Sequence, residues 1–93
     1  MRTEERFVGS AEVSSGEHII FASAIYKLTV FWDGYAQGEL RAPHGERLTP
    51  LVASGDDKWL HLRLDDGRLL VFQVRRADDR PGRWGDIEGR VAM

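Results

Sequence analysis

The sequence predicts an all-β fold, a small antiparallel meander barrel of about seven strands, partly open or sandwich-like in its alternative form. Three observations carry that expectation. Runs of β-branched and aromatic residues are cut at short intervals by Gly/Asp turn clusters. No stretch shows a convincing 3.6-residue apolar period. Glycines fall inside predicted strands at Gly9, Gly38 and Gly89, where they weaken a flat sheet and permit the sharp coiling that closes a barrel.

The elements follow in order. Arg6 to Val13 reads as a strand that ends at the turn cluster Ser14-Ser15-Gly16. Glu17 to Asp33 carries Ile19, Ile20, Phe21, Ile25, Tyr26, Val30, Phe31 and Trp32, so it also reads as strand. Fully extended it would span roughly 50 Å at about 3.3 Å per residue, so a corner is expected at Ala22-Ser23-Ala24. Its first half should pair back with 6–13 and its second half forward with 36–42. Asp33-Gly34 marks the hairpin between them. A three-residue loop, Asp33-Gly34-Tyr35, would set Leu28 opposite Leu40 and leave Lys27 facing Arg41.

Ala42-Pro43-His44-Gly45 should turn the chain into a strand over Arg47 to Ala53, held to an edge or a bulge by Pro50. Lys58 to Leu64 and Arg68 to Arg75 form the clearest hairpin, closed by Asp65-Asp66-Gly67. A polar loop over Ala77 to Gly85 leads to a last strand, Asp86 to Val91, which could pair with the first strand to close the barrel. Gly9-Ser10-Ala11, Gly38-Glu39-Leu40 and Gly89-Arg90-Val91 echo one another, too briefly to establish a repeat.

The 93 residues, 42% hydrophobic and 30% charged, suit one globular domain over 1–93. The absence of cysteine favours a reducing compartment, so the expected location is cytoplasmic. The charged start of the chain has no signal-peptide pattern, and the apolar stretch from His18 to Trp32 is too short for a helical span, so no membrane role is expected. Net charge is −2, which supplies no overall attraction for nucleic acid. The charge is unevenly placed: residues 1–57 carry five Lys/Arg against nine Asp/Glu, and residues 58–93 carry eight against six.

Catalytic and metal chemistry find little purchase. His18, His44 and His61 lack ligand-like spacing. The Asp56-Asp57, Asp65-Asp66 and Asp78-Asp79 pairs sit where turns are wanted and do not match a calcium loop. No phosphate-binding glycine loop or nucleophile elbow is present, so neither cofactor nor metal is expected and no residue is singled out as catalytic. The Arg2-x-x-x-Arg6 spacing resembles the arginine motif of PilZ domains. The likeness covers five residues and lacks that family's second element, so no ligand is carried over. Arginines interleave with aromatics at Trp59 to Arg63, Phe72 to Arg76 and Arg83-Trp84, a pattern that can serve single-stranded nucleic acid. Neighbouring aspartates neutralise it, so nucleic acid ranks third among the binding roles.

The 58–75 hairpin is the most informative segment. With Leu64 opposite Leu69, one face carries Leu60, Leu62, Leu64, Leu69 and Val71, and the other carries Trp59, His61, Leu70, Phe72 and Val74. Two apolar faces require two covers. A non-enzymatic protein-interaction module is therefore the first expectation, self-associating as a homodimer through Trp59, His61, Leu70, Phe72 and Val74. Under it, Phe72→Arg should give a folded monomer. The alternative is a barrel that binds an apolar or aromatic small molecule with Tyr26, Trp32 and Trp84.

Overall fold

The computed structural model describes residues 4–16, 18–52, 59–78 and 80–92. Six strands form a closed antiparallel barrel: β1 (Glu4–Ser15), β2 (His18–Phe31), β3 (Tyr35–Arg41), β4 (Leu60–Arg63), β5 (Leu69–Arg76) and β6 (Trp84–Val91). The order around the barrel is β1-β2-β3-β6-β5-β4. The all-β barrel is as the sequence predicts, but the connectivity is not one continuous meander. Two three-stranded meanders join edge to edge, β3 to β6 and β4 back to β1. The last strand therefore pairs with β3 and β5, and β4 supplies the closure.

β2 lies along the whole of β1, from Glu4↔Phe31 to Ser15↔His18, while its second half also pairs with β3. The expected division of β2 into a backward and a forward half is thus corrected, because one strand offers both edges at once. Against β1, β2 carries one extra residue between Phe21 and Ala24. This bulge is the corner expected at Ala22-Ser23-Ala24, where small side chains allow the bend.

Two hairpins close in the same way. Trp32-Asp33-Gly34 and Asp65-Asp66-Gly67 are three-residue loops in which the glycine N–H donates to the last strand residue, Phe31 O or Leu64 O, at 2.9 Å. The glycines stand at φ 90° and 91°, a conformation L side chains resist. In each loop the aspartate accepts from the N–H two residues on, Asp33 Oδ1 from Tyr35 and Asp66 Oδ1 from Arg68, both at 3.0 Å. The first loop therefore begins one residue earlier than expected. Leu28 falls opposite Gly38, and Lys27 faces Glu39 instead of Arg41. The shift leaves the inward set unchanged, because partner positions move by two and side-chain direction alternates with period two.

The second loop differs in length instead: it is one residue shorter than the register with Leu64 opposite Leu69 required. Arg63 pairs with Leu69, Leu62 with Leu70 and Leu60 with Phe72. That single step exchanges the faces of β5. Leu60, Leu62, Leu64, Leu70 and Phe72 all point into one core, each no more than 2% exposed. The expected second apolar face does not exist in that form.

The segment predicted as a strand over Arg47 to Ala53 is instead a single α-helical turn, α1 (Thr49–Val52), preceded by a 3-10 turn at Pro43–Gly45; Ala53 lies outside the described residues. Pro50, lacking an N–H, is tolerated in a first helical turn and not in a paired strand. Leu48 and Leu51 are buried here and join the core. A Cβ on Gly85 would come within 2.6 Å of Leu48 Cδ1, so that glycine makes room for the leucine.

The pairing registers of the two meanders correspond as an internal two-fold would make them. Phe7↔Leu28↔Gly38 in the first corresponds to Leu60↔Phe72↔Gly89 in the second, and Tyr26↔Leu40 corresponds to Leu70↔Val91. The pair Gln37↔Glu88 lies at the centre of the β3–β6 seam. Gly38 and Gly89 are equivalent in environment as well as position. A Cβ at Gly38 would collide with the Lys27 carbonyl oxygen and the Leu28 Cα, and one at Gly89 with the Val71 carbonyl oxygen and the Phe72 Cα. Two of the three sequence echoes therefore mark equivalent close approaches, where coiled strands leave no space for a side chain. The third, Gly9, occupies the place that Leu62 holds in the other half. There the ring of Tyr26 fills the space that the glycine leaves, with its hydroxyl oxygen 2.9 Å from where a Gly9 Cβ would be.

Candidate functional site

Eighteen apolar side chains among the described residues share the barrel core, and the outer wall offers a surface where contacts with other molecules can form. A concavity of about 440 Å³ lies on the wall of β3, β6 and β5, beside the start of β4, lined by Tyr35, Trp59, Val71, Gln73, Glu88, Gly89 and Arg90. The pairing explains how the residues meet. Tyr35, Arg90 and Val71 form one outward row across β3, β6 and β5. Gln37, Glu88 and Gln73 form the next. Continuing the β4–β5 register one step past Leu60↔Phe72 sets Trp59 across from Gln73.

Trp59 is 51% exposed at one side of the groove, and Tyr35 stands half-buried at the other. Val71 forms an apolar floor, and Gly89, whose Cβ direction is inward, adds nothing to fill it. The polar groups at the floor are already engaged. Tyr35 Oη donates to Glu88 Oε2 at 2.9 Å, and Arg75 Nε lies 2.9 Å from Glu88 Oε1. The Glu88 hydrogen bond is the main reason the Tyr35 phenol is pushed above its ordinary value of 10.0. Arg90 donates to the Asp33 carbonyl at 3.3 Å and remains exposed at the rim.

The internal two-fold supplies a built-in comparison. The positions equivalent to Trp59, Val71, Tyr35 and Arg90 in the other half are Arg6, Lys27, Asp86 and Glu39. One wall carries charge where its twin carries two aromatics and a valine. Both walls belong to the same closed barrel, so barrel formation does not demand apolar residues at these outward sites.

The sequence-predicted residues are divided by the structure. Trp59 and His61 lie on the outer wall of β4, with His61 half-buried and opposite Val71. Leu70 and Phe72 lie in the core at 0% exposure, and Val74, half-buried, packs against the same core. The five residues therefore do not share a face. Phe72→Arg would place a charge in the core and unfold the barrel, contrary to the expected folded monomer. Tyr35, Val71 and Arg90, which the sequence reading did not select, take the vacated places beside Trp59.

Tyr26, Trp32 and Trp84 do not meet either. Tyr26 is fully buried, and its hydroxyl has no hydrogen-bond partner of good geometry. Burial first, and the Asp65 charge second, push its phenol above the usual value. Trp32 is 78% exposed on the β2–β3 loop. Trp84 lies outside the barrel, with Lys27 Nζ 4.6 Å and Arg41 Cζ 6.0 Å from its ring centre. It borders a second concavity of about 410 Å³ with Arg76, Ala77, Asp78 and Asp86, whose lining is mostly polar.

Arg6 lies in β1 with its side chain 3.8 Å from Glu4, and Arg2 lies outside the described residues. Among the described residues, no three His, Asp or Glu side chains gather as a metal site would need. No helix among them is long and apolar enough to cross a membrane. The fold and wall define a class: a small closed six-stranded barrel with an aromatic-flanked groove on its outside. No family model, curated protein or solved structure matches the chain.

Proposed function

We propose that this is a non-enzymatic interaction module that associates with a second copy of itself through the outer wall of β3, β6, β5 and β4. One observation carries the reading: Trp59, Val71 and Tyr35 are apolar or aromatic where the equivalent half of the same barrel uses Arg6, Lys27 and Asp86. Since the fold tolerates charge there, the apolar character has another use, and water is a poor cover for it. Burial of a side chain such as Trp59 contributes about 1.5–3 kcal/mol before the costs of association. A two-fold dimer counts each such contact twice. The absence of cysteine suits a reducing compartment and so supports a cytoplasmic location for the module.

The test borrows the protein's own solution. Trp59→Arg with Val71→Lys installs on this wall the residues its twin carries, so the barrel should stay folded. Sedimentation velocity over a micromolar series should show a dimer for the natural sequence and a monomer for the double variant. A natural sequence that sediments as a monomer throughout that series ends the proposal.

A further inference from the structure

The groove has a counterpart on the same molecule. Trp32 is the most exposed large apolar side chain among the described residues, at 78%. It opens the Trp32-Asp33-Gly34 loop, which leads directly into Tyr35 at the edge of the groove. Exposure on a mobile tip would mean little, but this loop is held by backbone contacts on both sides. Gly34 N–H donates to Phe31 O at 2.9 Å, and Val91 N–H donates to Gly34 O at 2.8 Å. Tyr35 N–H donates to Asp33 Oδ1 at 3.0 Å, and Arg90 Nη1 to Asp33 O at 3.3 Å. The tryptophan is thus presented on a hydrogen-bonded base, with the backbone part of its ordering cost met by the hairpin.

Resting on the self-association reading, we infer that Trp32 of each copy fills the Trp59–Val71 groove of the other, two reciprocal contacts about a two-fold axis. Size favours this occupant. Three strands of seven or eight residues and one of four, about 4.8 Å apart at about 3.3 Å per residue, give a wall of only a few hundred Å². A stable interface takes about 800 Å² from each partner. Two flat walls pressed together fall short, whereas an inserted aromatic adds about 150–250 Å² of its own surface per copy and covers the groove lining as well. Charge agrees: the loop brings Asp33 toward a rim where Arg90 is exposed and Glu88 is already paired with Arg75.

Trans-complementation tests the exchange. Trp32→Ala removes the inserted side chain and Trp59→Arg spoils the groove, and each alone should weaken dimerisation by about thirty-fold or more, the loss typical of a central aromatic. Mixed one to one, the two variants form a heterodimer with one intact contact: Trp32 from the Trp59→Arg copy in the sound groove of the Trp32→Ala copy. Native mass spectrometry, which resolves the species by mass, should show that heterodimer in clear excess over either homodimer. Near-ultraviolet circular dichroism checks that both variants remain folded. A dimeric natural sequence with an undiminished Trp32→Ala dimer, or no excess of heterodimer, overturns the exchange and leaves self-association standing. Growth beyond the dimer also overturns it, since a reciprocal contact closes on itself. A monomeric natural sequence removes both readings.

Discussion

Replacing Gly89 or Gly38 with alanine probes the coiling of the barrel at equivalent points of its two halves. A Cβ at Gly89 would lie 2.6 Å from Phe72 Cα and 2.8 Å from the Val71 carbonyl carbon; at Gly38 it would lie 2.9 Å from both Leu28 Cα and the Lys27 carbonyl carbon. In each case the Val71 or Lys27 carbonyl oxygen is closer still. All of these atoms are backbone, so relief requires β2 or β5 to move and the flanking ladder to stretch. Overpacking a tight core costs about 1–3 kcal/mol, and more where side-chain rotation cannot relieve it. We expect about 3–4 kcal/mol for each glycine, with the two values within about 1 kcal/mol of each other. For a domain of this size that is a large share of a total near 5–15 kcal/mol. It should lower the melting temperature by more than about 12 °C. Gly9→Ala is the internal control. Its obstacles at 2.9 Å are side-chain atoms, Tyr26 Oη and Oδ2 of the exposed Asp65; Asp65 can turn aside and the buried Tyr26 ring need only shift, so a smaller cost of about 1–3 kcal/mol is expected. Urea unfolding of the three variants decides the matter. A Gly89→Ala protein within about 0.5 kcal/mol of the natural one, or a costlier Gly9→Ala, would refute the close-approach argument.

Three further outcomes are expected. Leu48→Ala should cost about 2–5 kcal/mol by urea titration, because Leu48 is 1% exposed against Gly85; a cost below about 1 kcal/mol would mean that the 47–52 segment is not part of the core. Tyr26→Phe should change stability by no more than about 1 kcal/mol, since the buried hydroxyl meets Asp65 without good hydrogen-bond geometry, and a loss above about 2 kcal/mol would show that the hydroxyl is well bonded. Asp66 and Asp78 are held below the usual 3.8, Asp66 chiefly by the Arg68 N–H and Asp78 chiefly by the Arg80 guanidinium. Their stabilising contribution is therefore present above pH 4 and lost as pH falls through the lowered values. Unfolding titrations from pH 7 to 2 should show a shallower acid loss in Asp66→Asn and Asp78→Asn, and an unchanged slope would contradict the assignment.

The barrel was legible in the sequence and its wiring was not. Gly38 and Gly89 announced tight coiling because only glycine fits where backbone meets backbone, and Asp-Gly announced both hairpins. The β3–β6 seam joins residues some fifty positions apart, and nothing local in Tyr35 to Arg41 names its partner. The misplaced interface came from one residue of loop length. Reading Asp65-Asp66-Gly67 as the whole loop, with Leu64 opposite Arg68, would have sent Leu70 and Phe72 inward at once. The signal was present in the other hairpin, where Asp-Gly also occupies the last two loop positions. Pro50 suits an edge strand or a bulge in sequence, yet its missing N–H fits a first helical turn equally well. Tyr35 and Val71 carry no mark of a groove on their own, since their neighbourhood with Trp59 exists only once β6 has been inserted between β3 and β5.

The two seams of the barrel differ greatly in strength. β3 and β6 share seven residue pairs, from Tyr35↔Arg90 to Arg41↔Trp84, whereas among the described residues β1 and β4 share only Val13↔Leu62 and Ser14↔His61. Beyond those two rungs, β1 is held on that side by side chains of the β4–β5 turn, with Arg68 3.6 Å from Glu5 and 5.1 Å from the centre of the Phe7 ring. Thermal opening should therefore part β1 from β4 first and swing the halves apart about β3 and β6, as covers turn on a spine. Amide protons around the short seam would exchange with solvent while those of the long one stay protected. A sheet opened in this way bares the strand edges of β1 and β4 together, which makes exchange of half-barrels between two molecules the failure this topology is most exposed to.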